Sequence, residues 1–166
     1  KYESLKKYLH IDLSLSEIIT NAMYAKGLTV SVSESCTGGF ISTFFTSRPG
    51  ASRFFNGSIT AYSNASKNQF LDISTKDINR YGVVSKQVAH AMARNVRIKF
   101  DTDYGLATTG YVDASNITEN ERLRSWIVVA GKNKIVSECI FLDQNRLQNI
   151  SRVSYELLNL FVKEII

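Results

Sequence analysis

The chain has 166 residues, 44% of them hydrophobic and 21% charged, with nine glycines and one proline. At roughly 150 residues per domain this is one domain, 1–166, with chain enough to bury a core without metal or disulfide staples, and the composition excludes collagen-like, low-complexity and disordered classes. Twenty Lys plus Arg against fifteen Asp plus Glu give a net charge of +5, but the basic residues form no stripe, so nucleic acid is not the expected partner.

In chain order, Leu15, Ile18, Ile19, Ala22 and Met23 fall at helical spacing and predict a helix over 13–25, capped by Ser14 or Ser16 and stopped by Gly27. Residues 28–33 alternate with β-branched side chains and read as a strand. After a break at 34–39, the apolar segment 40–45 reads as a helix despite its aromatic content, followed by a strand at 58–63 and a short helix near 65–71. Residues 85–100 are strongly periodic (Val88, Ala89, Met92, Val96) and enter through Ser85 as N-cap. A strand over 104–109 ends at Gly110, residues 111–124 are polar and aperiodic and read as a loop, and 125–130 and 135–141 flank a four-residue hairpin turn at Gly131. A helix over 146–166 follows. Helices alternating with strands, plus one hairpin, predict an α/β fold: a three-layer α/β/α sandwich on a mixed, mostly parallel sheet.

Several classes of chemistry lack their residues. Cys36 and Cys139 lie far apart and make no metal-ligand or disulfide pattern, and His10 and His90 stand alone, so neither a metal site nor a histidine-based triad is expected, and no cofactor. No apolar run approaches the roughly 20 residues a membrane crossing needs. Residues 1–12 lack the apolar stretch of a signal peptide, which places the chain in the cytoplasm with no membrane contact.

The densest signal is Glu34-Ser35-Cys36-Thr37-Gly38-Gly39. A serine just past a strand, followed by Thr-Gly-Gly and a helix, sits where backbone N–H groups are unpaired and the helix dipole is positive, so the turn suits an anion or an oxyanion. It is equally a tight turn whose glycines only reverse the chain. It matches neither a Walker loop nor the nucleophile elbow of hydrolases. Tyr62-Ser63-Asn64 and Lys67 follow the second strand, where a phenol and an amine can point to the same strand-end crevice. With no histidine at hand, a desolvated lysine is the base that could activate Ser35. The plainer reading makes Lys67 a solvated helix lysine and Tyr62 a half-buried strand aromatic.

Four blocks then carry a resemblance: S-E-S-C-T-G-G-F-I-S at 33–42, P-G-A-S-x-x-F-x-G at 49–57, A-Y-S-N-x-x-K at 61–67 and Y-G-x-V-S-x-x-V-A-x-x-M-A at 81–93. Together with A-T-T-G at 107–110, S-W-I-V-V-A at 125–130 and R-L-Q-N-I at 146–150, they resemble the CinA C-terminal domain family in order and spacing. The resemblance implies a metal-free amidohydrolase of competence/damage-inducible CinA type. It would convert nicotinamide mononucleotide to nicotinate mononucleotide and ammonia in pyridine-nucleotide salvage, as a cytoplasmic homodimer. The family's catalytic serine falls on Ser35, and its lysine and tyrosine fall on Lys67 and Tyr62. Substrate-binding positions are expected at Glu34, Cys36, Thr37, Gly38 and Gly39 around the turn, and at Thr109, Gly110 and Arg146 for a phosphate.

One segment departs from the family. After its T-G pair the family reads G-I-A-G-P-x-G-G and then P-V-G-T-V-W, whereas here Gly110 is followed by Tyr111-Val112-Asp113-Ala114-Ser115, and Pro49 is the chain's only proline. Losing those glycines removes backbone conformations with positive φ, and Tyr111 adds a ring. The pocket rim must therefore differ. Either it admits a different amide or nucleotide, or the fold has been kept as a binding or regulatory module without catalysis.

Overall fold

The computed structural model of the chain describes residues 12–117 and 122–166, so His10 and part of the loop expected at 111–124 lie outside the described residues. In order, the elements are α1 (Leu13–Lys26), β1 (Val30–Glu34), α2 (Phe40–Thr46), β2 (Phe55–Thr60), α3 (Asn64–Leu71), α4 (Thr75–Tyr81), α5 (Lys86–Lys99), β3 (Tyr104–Tyr111), β4 (Arg124–Ala130), β5 (Ile135–Phe141) and α6 (Arg146–Ile165). Short 3-10 turns occupy Ala51–Arg53 and Ala114–Asn116. The five strands make one mixed sheet in the order β2-β1-β3-β4-β5. Four run the same way, and β4 alone runs against its neighbours β3 and β5.

Helices cover both faces, giving the α/β/α sandwich. Val30 and Val32 of β1, with Leu106, Ile127 and Val129, pack beneath α1, α2 and α6. There Phe45 contacts Phe44, Phe54 and Phe161 edge-on and stacks on Phe55. That aromatic burial is why 40–46 is helical although β-branched and aromatic residues disfavour it locally. The opposite face carries small residues. Ser31, Gly105 and Ala130 lie side by side across β1, β3 and β4, and α5 settles onto that row closely enough for the Ser31 hydroxyl to donate to the Val96 carbonyl at 3.2 Å.

The capping chemistry corrects some boundaries. Asp12, not Ser14 or Ser16, caps α1, its Oδ1 accepting from Ser14 N and Leu15 N, and Gly27 ends the helix in the left-handed conformation at φ 60°. β2 begins at Phe55 rather than 58 and stops at Thr60, the partner of Glu34 at the end of β1. Gly57 is inside the strand at φ 147°, where a Cβ would come within 2.5 Å of the Phe100 ring. The chain then leaves the sheet, and Ser63 caps α3 in a reciprocal box with Ser66. Helix α4 was not expected from the sequence. It has one buried side chain, Ile78, so no periodicity advertises it, only the Ser74 cap. Ser85 caps α5 as expected.

Glu34 and Thr60 close β1 and β2 in register with Thr108 of β3, so three parallel strands present their carboxyl ends along one edge. The connection after β1 passes through α2 on one face, and β3 is reached through α3, α4 and α5 on the other. A crevice opens where such connections part.

At Gly105, an added Cβ would lie 2.1 Å from the Ala93 carbonyl oxygen and 2.7 Å from Arg97 Cβ. Gly105→Ala is therefore expected to destabilise the protein by about 3 kcal/mol, because α5 must lift off the sheet. Chemical denaturation of the two proteins measures this, and equal midpoints would mean that the contact between α5 and β3 is loose.

Candidate active site

Ser35 is the first residue past β1, and its N–H donates to the Thr108 carbonyl at 3.1 Å, extending the parallel pairing one step beyond the strand. The chain then turns through Cys36-Thr37-Gly38-Gly39, with Gly38 at φ 61° and Gly39 at φ 102°, conformations that glycine adopts without strain. Gly38 N–H bonds back to the Ser35 carbonyl at 3.2 Å. Among the described residues, the N–H groups of Cys36 and Thr37 bond to no other residue.

A buried carboxylate fixes this turn. Glu34 is fully buried, and its Oε2 accepts from Thr37 Oγ1 at 2.7 Å, Gly39 N at 3.0 Å and Ile41 N at 3.1 Å. Its Oε1 accepts from Ser42 N at 2.8 Å and from the Ser42 hydroxyl. A side chain on the strand thus caps the helix that follows it, at the helix end that favours negative charge. Thr37 also meets Thr108 Oγ1 at 2.8 Å. Glu34, Thr37, Gly38 and Gly39, expected around the substrate, therefore build the turn and do not line the cleft beside it.

Lys67 approaches from α3. It is 1% exposed, and its Nζ donates to Ser35 Oγ at 2.9 Å and to the Ala61 carbonyl at 2.8 Å. Burial pulls its pKa down from 10.5 to about 8, against a weaker opposing pull from Cys36. The plainer expectation, a solvated helix lysine, does not hold. Ser35 and Lys67 open onto a cleft of about 330 Å³ whose lining also includes Cys36, Tyr62, Thr109, Gly110 and Arg146.

These other residues divide by what they touch. Burial pushes the Cys36 thiol pKa up, and its sulfur sits 3.4 Å from Ser125 Oγ, so it behaves as a small core residue and a poor nucleophile. The Thr109 hydroxyl holds the Val83 carbonyl at 3.0 Å, which fixes the segment ahead of α5 along the cleft. Gly110 is needed for close approach, since a Cβ there would meet Ser125 Cβ at 2.6 Å. Tyr62 stands 59% exposed in the lead-in to α3, and its hydroxyl accepts from Arg146 Nη2 rather than from Ser35 or Lys67. Arg146 Nη1 in turn pairs with Asp113.

Sequence reasoning passed over Asp113 as a residue of the cleft, and Asn149 as the residue that fixes its rim. Asn149 is fully buried and its Nδ2 donates to the Val112 carbonyl at 2.9 Å, which ties the start of α6 to the end of the β3 segment. An asparagine four residues ahead of Val153, on the face that the helical period turns inward, was the available signal. Among the described residues, no group of three His, Cys, Asp or Glu side chains is arranged to hold a metal ion.

Removing the Glu34 carboxylate strands three backbone donors at the start of α2. Glu34→Ala is expected to cost about 3 kcal/mol or more, and Glu34→Gln, which keeps the shape and one good acceptor, about half of that. Urea midpoints of the two variants read the difference, and an Ala variant as stable as the Gln variant would count against capping as the residue's role.

Comparison with known proteins agrees with this architecture. The family model "CinA C-terminal domain" matches residues 12–165. A CinA-like protein of Amoebophilus asiaticus is 37% identical over 153 residues, covering 92% of this chain and 37% of that protein, and one of Flavobacterium psychrophilum is 36% identical over 156 residues, covering 93% and 37%. The chain thus spans less than two-fifths of the length of these two relatives. Among solved structures, the competence or damage-inducible protein of Enterobacter asburiae superposes with a TM-score of 0.87 at 17% identity, over 92% of this chain and 96% of that one. The competence/damage inducible protein CihA of Agrobacterium tumefaciens does so with 0.86 at 23% identity, over 90% and 93%, and both likenesses speak to the fold alone. With strand order, turn and lysine contact already described, the chain belongs to the CinA C-terminal domain family.

Proposed function

We propose that this domain is a serine amidohydrolase that deamidates nicotinamide mononucleotide to nicotinate mononucleotide and ammonia. The observation that carries the reading is the 2.9 Å contact between a serine at a strand end and a lysine that burial has brought to a pKa of about 8. A lysine so tuned is partly neutral near physiological pH and can accept a proton, which an ordinary lysine cannot.

In this mechanism neutral Lys67 takes the Ser35 hydroxyl proton as Oγ bonds to the carboxamide carbon. The C–N bond then breaks, the Lys67 proton passes to the departing nitrogen, and ammonia leaves an ester on Ser35. Lys67 next deprotonates a water that attacks the ester, and the proton returns to Ser35 as the acid departs. The Gly38 N–H is taken by the Ser35 carbonyl, so the donors left for the oxyanion are those of Cys36 and Thr37, each worth roughly 3 kcal/mol if well placed. Because Lys67 meets Ser35 directly, the cycle needs no relay through Tyr62, whose part is at the cleft mouth with Arg146.

A second reading keeps the fold as a nucleotide-binding or regulatory module with a different or lost substrate. It is favoured by Arg146, the candidate phosphate ligand, being already paired with Asp113.

Ammonia release from nicotinamide mononucleotide by the purified protein separates the two. Ser35→Ala and Lys67→Ala are each expected to lower the rate at least about a thousandfold. The value of kcat/KM should climb with pH and level off above about 8 as Lys67 loses its proton. A silent wild-type protein that still binds the nucleotide would favour the second reading.

Lys67 also leaves a mark on stability. Below about pH 8 the amine is protonated in both folded and unfolded chains, and the folded state bears the full burial penalty. Between about 8 and 10.5 the folded amine is neutral while the unfolded one still holds its proton, so the unfolded chain binds more protons and stability rises with pH. Relative to Lys67→Met, the wild-type protein should therefore gain stability across that window, as read from urea midpoints at successive pH values. A flat difference would mean that the lysine is solvated.

A further inference from the structure

The charged side chains that line the cleft are Lys67, Asp113 and Arg146. Each terminal nitrogen of Arg146 makes one hydrogen bond, Nη1 to Asp113 Oδ2 and Nη2 to the Tyr62 hydroxyl. The other carboxylate oxygen of Asp113 is occupied too, accepting from the Ser115 N–H at 3.0 Å and from the Ser115 hydroxyl. These hydrogen bonds, the Ser115 hydroxyl foremost and Arg146 third, hold the Asp113 carboxyl down at about 2, so it is ionised at neutral pH. Beneath this clasp, Asn149 fixes both of its ends. Its Nδ2 donates to the Val112 carbonyl next to Asp113 and to the Gln144 carbonyl at 2.7 Å, and its Oδ1 accepts from Gln144 N. The arginine and the aspartate, 42% and 25% exposed, are thus presented to each other by two segments that one buried asparagine ties together.

A phosphomonoester is a dianion, and a protein discriminates for it by offering a guanidinium fork whose donors are free. In this cleft one N–H of each terminal nitrogen is given to a carboxylate and a phenol, and the carboxylate offsets the arginine's charge. A phosphate that reaches the remaining donors of Arg146 must sit beside the ionised Asp113 carboxylate or displace it, an unfavourable juxtaposition of like charges either way. Lys67 is no substitute, because its ammonium is buried against Ser35 and the Ala61 carbonyl.

We propose that Asp113 is a specificity-determining residue that withholds Arg146 from phosphate, so that this cleft takes a pyridine carboxamide riboside as readily as its 5′-phosphate. The proposal rests on the amidohydrolase reading for the identity of the amide, but the withholding of Arg146 stands on the clasp itself.

The test compares nicotinamide riboside with nicotinamide mononucleotide as substrates, and titrates inorganic phosphate separately by calorimetry. For the wild-type protein the two kcat/KM values should agree within about threefold. Asp113→Asn keeps an acceptor for Ser115 but removes the charge that holds Arg146, and should raise the ratio of nucleotide to riboside about tenfold, in KM rather than kcat. It should tighten inorganic phosphate by a similar factor of about ten. Adding Arg146→Gln to that variant should abolish both gains. Arg146→Gln alone, at an exposed first-turn position where folding is not at stake, should move the ratio by less than about twofold. The proposal is overturned if the wild-type protein prefers the nucleotide by about a hundredfold and Arg146→Gln removes that preference, or if phosphate binds the wild-type protein and Asp113→Asn equally. If neither amide is hydrolysed and Asp113→Asn still gains phosphate affinity through Arg146, the amidohydrolase reading fails while the role of Asp113 stands.

Discussion

Everything chemical in this molecule hangs on a carboxylate that cannot reach water. Glu34 ends the central strand, and its two oxygens gather the first N–H groups of α2 together with the hydroxyls of Thr37 and Ser42. A charge that deeply buried is tolerable only when it is fully hydrogen-bonded, so the turn has little freedom to take another path. Ser35 is the next residue, and its direction follows from that restraint. The strand supplies the rest. Val30 and Val32 send β1 into one core while Ser31, Ser33 and Ser35 face the other, which puts the hydroxyl on the side from which α3 brings its lysine.

Lys67 is tuned by packing rather than by a neighbouring charge. Its Nζ is held between a hydroxyl and a carbonyl, neither of them charged, so burial is the main cause of its lowered pKa. Such an amine is costly to bury, and a chain selected for stability alone would have an apolar side chain there. The aspartate at the rim shows the opposite arrangement. Asp113 is stabilised as an anion by Ser115 and Arg146, so one cleft holds an amine made less basic by dryness and a carboxyl made more acidic by hydrogen bonds.

Elements with long apolar periods were legible from the sequence. The helix over 146–166, the Ser85-capped helix and the hairpin around Gly131 all declare themselves by pattern and punctuation, and the structure has α6, α5 and the β4–β5 pair there. Ser35 and Lys67 could be paired because each follows a strand end, and strand ends converge in a parallel sheet. The misses share a cause, which is that long-range contacts overrode local signals. The sequence predicts the second strand only from 58, because nothing local announces that 55–57 extend it with Phe100 packed on the glycine. By sequence Glu34 groups with the substrate-binding turn, and nothing local announces that its oxygens turn back onto the N–H groups of α2. Asp113 and Arg146 lie 33 residues apart in sequence, and neither the departure from the family pattern nor the polar character of 111–124 foretold that they would meet.

The two halves of the site have different histories during synthesis. Ser35 and Lys67 are both encoded within the first two β-strands and α3, while Arg146 and Asn149 sit on α6, the last element described. A chain emerging from the ribosome carries Ser35 and Lys67 long before it carries the helix that anchors the rim. Until α6 docks, Asp113 has no arginine and Val112 no asparagine, so the cleft lacks one wall. Any selectivity the rim confers therefore waits on the docking of α6.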